Sequence, residues 1–256
     1  MKRQLFILLA CFLAGNICYA QSLKDAEAYF TRGSAKDSMQ DYTGALADQD
    51  TAIALNPKCA AAYAARAFTR SKLEDNAGAI ADCKTAIAID PEYAISYNNL
   101  GTVMLDMKDY KNAAIYFIQS TDRDPAFAPA WFNRSLTFYY LEKTDEAAKA
   151  FIMLRLLNPG FQQIGDLKKM LCEKYIKTGW EQYGKKGLYP QAAVEYKKAL
   201  AIDPTNDEVW YNIGGACYKE KKYLEAERAF KVALRLNPDN AAAKEGLDAV
   251  LPETGK

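Results

Sequence analysis

Histidine is absent from all 256 residues. Its absence removes the side chain that most often serves as general base, metal ligand or triad member at neutral pH. No glycine-rich loop follows a strand-like segment, so the usual phosphate cradles are missing too. Net charge is nearly absent as well: 33 basic residues stand against 32 acidic ones. A dedicated nucleic-acid binder would carry a basic surplus, so none is expected as a partner. Beyond the N-terminus no apolar run is long enough to span a bilayer. Carboxylates are plentiful but sit beside lysines at helical spacing, as solvated pairs do. These absences argue against an enzyme and leave no catalytic residue, metal site or cofactor to name.

What is present begins with an export pattern. Lys2 and Arg3 precede the apolar stretch Leu5 to Ala14, and Cys18-Tyr19-Ala20 places small residues before Gln21. This is the form of a secretory signal peptide over residues 1–20, cleaved after Ala20. A lipoprotein reading would use Leu8-Leu9-Ala10-Cys11, where the apolar run is short and continues past the cysteine. The mature chain is expected in the cell envelope, in a periplasm, without membrane insertion. It keeps Cys59, Cys83, Cys172 and Cys217. Their spacings match no zinc pattern, and they read as small buried hydrophobes rather than disulfide partners.

Proline then sets a rhythm. Asn56-Pro57, Asp90-Pro91, Asp124-Pro125 and Asn158-Pro159 repeat every 34 residues; Asp203-Pro204 comes 45 later and Asn237-Pro238 another 34 on. With each proline as position 32 of a unit, the other columns align. Position 20 is Ala45, Ala79, Ala113, Ala147 and Ala226. Position 8 is Gly33, Ala67, Gly101, Ser135 and Gly214, and position 4 is Tyr29, Tyr63, Tyr97, Trp131 and Trp210. Small residues at 8 and 20 let two antiparallel helices approach closely, and the aromatic fills space against a neighbouring unit. The Asx-Pro pair ends the second helix, because proline disfavours helical geometry before it and Asx can close a turn. Such a hairpin cannot bury its apolar face alone, so copies must stack.

At these residues the chain resembles the tetratricopeptide repeat (TPR) family, over essentially residues 22 to 250. Position 24 adds Phe117, Phe151 and Phe230 to the match. The resemblance implies an all-α, right-handed α-solenoid of six helical hairpins plus a C-terminal capping helix. It also implies a protein or extended-peptide partner held in a concave groove, usually without catalysis. The expected organisation is repeats one to four over 22–161, a helix extension or spacer over 162–171, repeats five and six over 172–240, and a capping helix over 241–251, stopped by Pro252.

The fifth unit is irregular. Counting back from Pro204 puts Trp180 at position 8, where only a small residue fits. Taking Gly179 as position 8 restores Tyr175 to position 4. The eleven surplus residues then divide into ten before the repeat, 162–171, and one expected in the hairpin turn at Gly184-Lys-Lys-Gly187. Ile164, Leu167, Leu171 and Tyr175 recur at helical spacing, so the first helix should start near Ile164 to Asp166. A hinge between four-repeat and two-repeat modules is the rival reading.

The resemblance directs positions 2, 5, 6, 9, 12 and 13 into the groove. Position 6 holds Asn99, Asn133 and Asn212, whose amides suit a peptide backbone or else bond neighbouring helices. The fourth repeat adds Phe132, Leu136, Tyr139 and Tyr140, the last adds Tyr211 and Tyr218, and the corrected fifth adds Trp180 and Tyr183. These aromatics can anchor a partner or simply pack between helices. Cations that would grip a peptide's terminal carboxylate are missing, since positions 5 and 9 carry Phe30, Ala64, Asn98, Phe132, Ser34, Phe68, Thr102 and Leu136. An alternative function is a self-associating or structural subunit of an envelope complex, bound through convex or terminal surfaces; the oligomeric state is left open. Leu251-Pro-Glu-Thr-Gly255 resembles a sorting signal but lacks the apolar stretch and basic end such a signal needs.

Overall fold

The computed structural model of the protein describes residues 21–255, so the expected signal peptide lies outside the described residues. All regular structure there is helical. The first helix, α1, is described over 21–38. After it come α2 (Tyr42–Leu55), α3 (Ala60–Lys72), α4 (Asn76–Ile89), α5 (Ala94–Asp106), α6 (Tyr110–Arg123) and α7 (Ala128–Tyr140). Next are α8 (Thr144–Leu157), α9 (Ile164–Thr178), α10 (Tyr189–Ile202), α11 (Asp207–Lys219), α12 (Tyr223–Leu236) and α13 (Ala241–Thr254). Contacts divide the chain into two compact units, one up to Thr137 and one from Phe138.

The repeat columns become specific bonds. The Asx side chains of Asn56, Asp90, Asp124, Asp203 and Asn237 accept from the backbone N–H two residues on, at 2.9 to 3.2 Å. That closes the turn that ends each second helix. Asp41, Asp75 and Asp109 cap the N-termini of α2, α4 and α6 by accepting from Gly44, Gly78 and Asn112. Tyr97, Trp131 and Trp210 donate back to the carbonyls of Pro91, Pro125 and Pro204, tying the start of a first helix to the proline before it. Ala45, Ala79, Ala113 and Ala147 are wholly buried, so no side chain holds the helices apart there.

In the first unit, two ionic ladders add to the packing. Arg32 and Lys36 pair with Asp48, and Arg66 and Arg70 pair with Asp82. The Arg32 guanidinium holds the Asp48 carboxyl down at about 2, burial notwithstanding. In the second unit, Phe230 is 2% exposed and lies between two glycines. A Cβ on Gly214 of α11 or on Gly246 of α13 would come within 2.6 Å of its ring. The terminal helix therefore closes over this ring and also buries Ala243 and Val250.

The irregular repeat resolves into two features. The helix α9 starts at Ile164 and buries Leu167, Leu171, Cys172 and Tyr175. It passes without a break into a π-helical turn, Gly179–Tyr183, and a 3-10 turn, Gly184–Lys186. A Cβ on Gly179 would meet the Tyr196 ring at 2.5 Å, as one on Gly101 would meet Phe117 at 2.8 Å. The first pair is 17 residues apart and the second 16, so one extra residue lies between Gly179 and Tyr196.

That residue is not in the hairpin turn, where Gly184 to Gly187 was expected to absorb it. The turn itself is ordinary. Gly187 N–H donates to Gly184 O and Leu188 N–H to Tyr183 O, just as Glu74 N–H donates to Ser71 O and Asp75 N–H to Arg70 O. Gly187 is left-handed at φ 74°, matching Glu74 at 63° and Lys221 at 60°. The insertion is instead taken up inside the helix, because a π turn spans one more residue than an α turn. Deleting Gln182 should therefore return the helix to α geometry and leave the melting temperature within a few degrees of wild type. Deleting Ala193 instead would turn Tyr196 and Ala199 about 100° out of the core, at about 3–5 kcal/mol for the aromatic alone. Circular dichroism melts of the two deletions compare them directly, and equal damage from both would contradict the π-turn placement.

A second correction concerns Pro252, which does not stop α13; the helix runs to Thr254. Proline removes one N–H, and the carbonyl it would have met belongs to Asp248, which is exposed and open to water. The Thr254 hydroxyl donates to Leu251 O and fastens the final turn.

Candidate functional site

The π turn matters because of what it carries. Trp180 is 52% exposed, although it is one of the largest apolar side chains in the molecule. Its ring lies over Gly184, where a Cβ would come within 2.7 Å, so the indole rests on its own helix. From there it forms one wall of an open pocket of about 590 Å³ within the second unit. Tyr189 and Tyr196 of α10 form the floor with Ala192, and Tyr211, Asn212 and Gly215 of α11 the opposite wall. Lys185 and Lys219 stand at the rim. Lys185 pairs with Glu181 at 3.0 Å, while Lys219 forms no ion pair among the described residues. Burial raises the Tyr196 hydroxyl above its ordinary value, which keeps it neutral.

The three position-6 amides, indistinguishable in the sequence, have different fates. Asn99 donates to Ala64 O at 2.9 Å, and Asn133 donates to the Asn98 side chain at 3.0 Å. Both serve helix-to-helix bonding in the first unit. No hydrogen bond engages the Asn212 side chain among the described residues, and it lines the pocket beside Tyr211. It keeps a donor pair and an acceptor free for a ligand.

The remaining candidates lie elsewhere. Phe132 and Leu136 are half-buried on the part of α7 that belongs to the first unit. Tyr139 packs edge-on against Tyr140 with centroids 6.0 Å apart. Tyr218 leans on Tyr223 at 5.7 Å, and Tyr183 closes the hairpin turn through its carbonyl; neither lines the pocket. Sequence reasoning missed Tyr189, Lys185 and Lys219. Tyr189 opens α10 and would have been found by asking which residue follows the left-handed Gly187 into the second helix.

Among the described residues, Cys59, Cys83, Cys172 and Cys217 are free thiols. Burial pushes the thiols of Cys83 and Cys172 up to about 12, so neither is a ready nucleophile. Among the described residues no His, Cys, Asp or Glu cluster could hold a metal ion, and no helix is long and apolar enough to cross a membrane.

Successive helical hairpins closed by Asx-Pro turns, with small residues where the paired helices approach, define a helical repeat protein. The chain belongs to the tetratricopeptide repeat family. Its family signatures match residues 26–59 and 94–127 (Tetratricopeptide repeat), 181–220 (TPR repeat) and 207–240 (Tetratricopeptide repeat). Proteins of this fold are generally non-catalytic scaffolds. The chain is 25% identical over 145 residues to Protein O-mannosyl-transferase TMTC3 of Homo sapiens, covering 55% of this chain and 16% of that protein. It is 30% identical over 128 residues to Anaphase-promoting complex subunit 6 of Arabidopsis thaliana, covering 50% and 22%. The chain thus spans less than a quarter of the length of the curated relatives it matches. Among solved structures, that of Pseudomonas aeruginosa pilF superposes with a TM-score of 0.55 at 17% identity, over 90% of this chain and 99% of that one. A thermophilic TPR protein of Thermus thermophilus superposes at 0.51 and 20%, over 75% and 99%. These likenesses concern the fold.

Proposed function

We propose that the protein is a non-enzymatic scaffold, exported to the cell envelope, that holds an extended peptide or protein segment in the cleft of its second unit. The observation that carries this reading is the Asn212 amide, uncommitted beside the half-exposed Trp180 and Tyr211. A peptide backbone can engage the amide while an apolar side chain fills the space between the two rings. The reading extends to Asn99, Phe132, Asn133, Leu136 and Tyr139 only as secondary contacts, since the two asparagines already serve the fold. The test is selection of a displayed random-peptide library on the wild-type mature chain. Selected peptides should share an apolar or aromatic anchor and should bind Trp180→Ala more weakly by about thirtyfold or more. Selection of nothing, or of peptides indifferent to Trp180, contradicts it. Export is tested separately, by N-terminal sequencing of the protein recovered from an envelope fraction: Gln21 as first residue is expected, and an intact Met1 contradicts the cleavage.

A second reading, self-association, is favoured by the apolar cluster Met153, Leu156 and Leu157 on α8, with Leu156 70% exposed. Light scattering over a concentration series separates the two. A constant monomer mass is expected for a groove binder, and a mass that grows with concentration supports assembly.

A further inference from the structure

A second groove lies within the first unit, on the first helices of repeats one to three. It is walled by Phe30, Ala64, Phe68, Tyr93 and Ile95 and holds about 250 Å³. Its lining is mostly apolar; of its polar members, Ser34 and Asn99 are spent on the carbonyls of Phe30 and Ala64, and Asp37 of α1 carries the charge. Phe68 is 38% exposed at its mouth.

Asp37 is held by neutral donors and forms no ion pair among the described residues. The hydroxyl of the buried Thr69 donates to both its oxygens, at 2.8 and 3.0 Å, and the Gln49 amide donates to one at 2.7 Å. Gln49 is wholly buried, and its orientation is fixed because a carboxylate can only accept. All these partners are neutral. Of the cations on the same helices, Arg32 and Lys36 pair with Asp48 and Arg66 and Arg70 with Asp82, while Lys24 stands 13 residues before Asp37, about 20 Å away along α1. Lys72 lies over the Phe68 ring, 5.3 Å from its centroid, and pairs with no carboxylate among the described residues. Burial raises the Asp37 carboxyl, and the bonds from Thr69 and Gln49 oppose that rise without cancelling it. An oriented anion at the end of an apolar trough fits one kind of side chain: an aliphatic stem ending in a cation.

We infer that this groove takes a lysine or arginine side chain of an extended peptide, its methylenes along Phe30 and Phe68 and its cationic head on Asp37. The partner segment for the first unit is therefore basic. This site is separate from the Trp180 cleft and does not depend on it. The probe is a blocked pentapeptide, acetyl-Ala-Leu-Lys-Leu-Ala-amide, with a twin carrying norleucine for lysine, which keeps the stem and drops the charge. Calorimetric titration into the mature chain should show the lysine peptide binding about tenfold tighter than its twin, the factor that about 1.4 kcal/mol of charge pairing supplies. Asp37→Asn should abolish that difference, and Phe68→Ala should weaken both peptides. Circular dichroism of each variant confirms that it is folded. Trp180→Ala should leave both peptides unaffected, so failure at one site is distinguishable from failure at the other. Equal affinities for the twins, a lysine preference that survives Asp37→Asn, or no saturable binding at millimolar peptide would each overturn the inference.

Discussion

Trp180→Ala should weaken binding of a selected peptide by about thirtyfold or more, the loss expected when an aromatic anchor worth about 2 kcal/mol is truncated. It should do so without changing helicity or melting temperature. The two halves of this expectation come from the same fact. The indole is half exposed, lying over Gly184 and along an open pocket, so removing it leaves no enclosed cavity in the free protein. A ligand that fills the cleft between Trp180 and Tyr211 loses that wall in the variant. Asn212→Ala should cost less, about five- to tenfold, because one neutral hydrogen bond contributes about 1 kcal/mol. Calorimetry and circular dichroism on the same samples check both expectations.

Phe230→Ala should produce the largest loss of stability in the second unit, about 3–5 kcal/mol. Its ring fills the space that Gly214 and Gly246 leave open on two separate helices. Neither glycine has a side chain that could move into the hole, so the cavity persists. The melting temperature should fall by about 10 °C, taking about 2–4 °C per kcal/mol for a chain of this size. The reverse change, Gly246→Ala, drives a methyl into the same ring and should cost about 1–3 kcal/mol. Since α13 docks through this ring, both variants should loosen the terminal helix first. Amide exchange of Ala243 and Val250, both wholly buried, would report it. Unchanged melting in Phe230→Ala would mean that the last repeat is sealed by other contacts.

Much of the fold was legible because the repeat columns are steric. A small residue opposite a large one, an alanine at the closest approach and an Asx before proline each have one physical use, and the Asx-Pro pair alone recurs six times. The fifth repeat was legible to the same extent: Gly179 had to be the small residue because tryptophan could not be. The location of the extra residue was not. Gly184-Lys-Lys-Gly187 has the composition of a tolerant turn, whereas a π turn leaves no mark in residue type, only in hydrogen-bond register. Pro252 misled for a related reason, since its cost depends on whether the carbonyl it deserts is buried or wet.

The sites were legible only in outline. Asn99, Asn133 and Asn212 occupy one column and read alike; which amide is left uncommitted depends on what the preceding helix offers it. Asp37 reads as one more solvated carboxylate. Its isolation shows only once Arg32, Lys36, Arg66 and Arg70 are seen paired with Asp48 and Asp82.

The claim on which the account turns is that the π turn sets Trp180 into a peptide-binding cleft. Fluorescence of a chain with Trp180 as its sole tryptophan tests it most directly. Trp131 and Trp210 can be changed to tyrosine, the residue that at Tyr97 makes the same bond to a proline carbonyl. On titration with a library-selected peptide free of tryptophan, the emission should shift to the blue and saturate together with the calorimetric signal. Saturable binding with the Trp180 emission unmoved would place the ligand elsewhere and contradict the account.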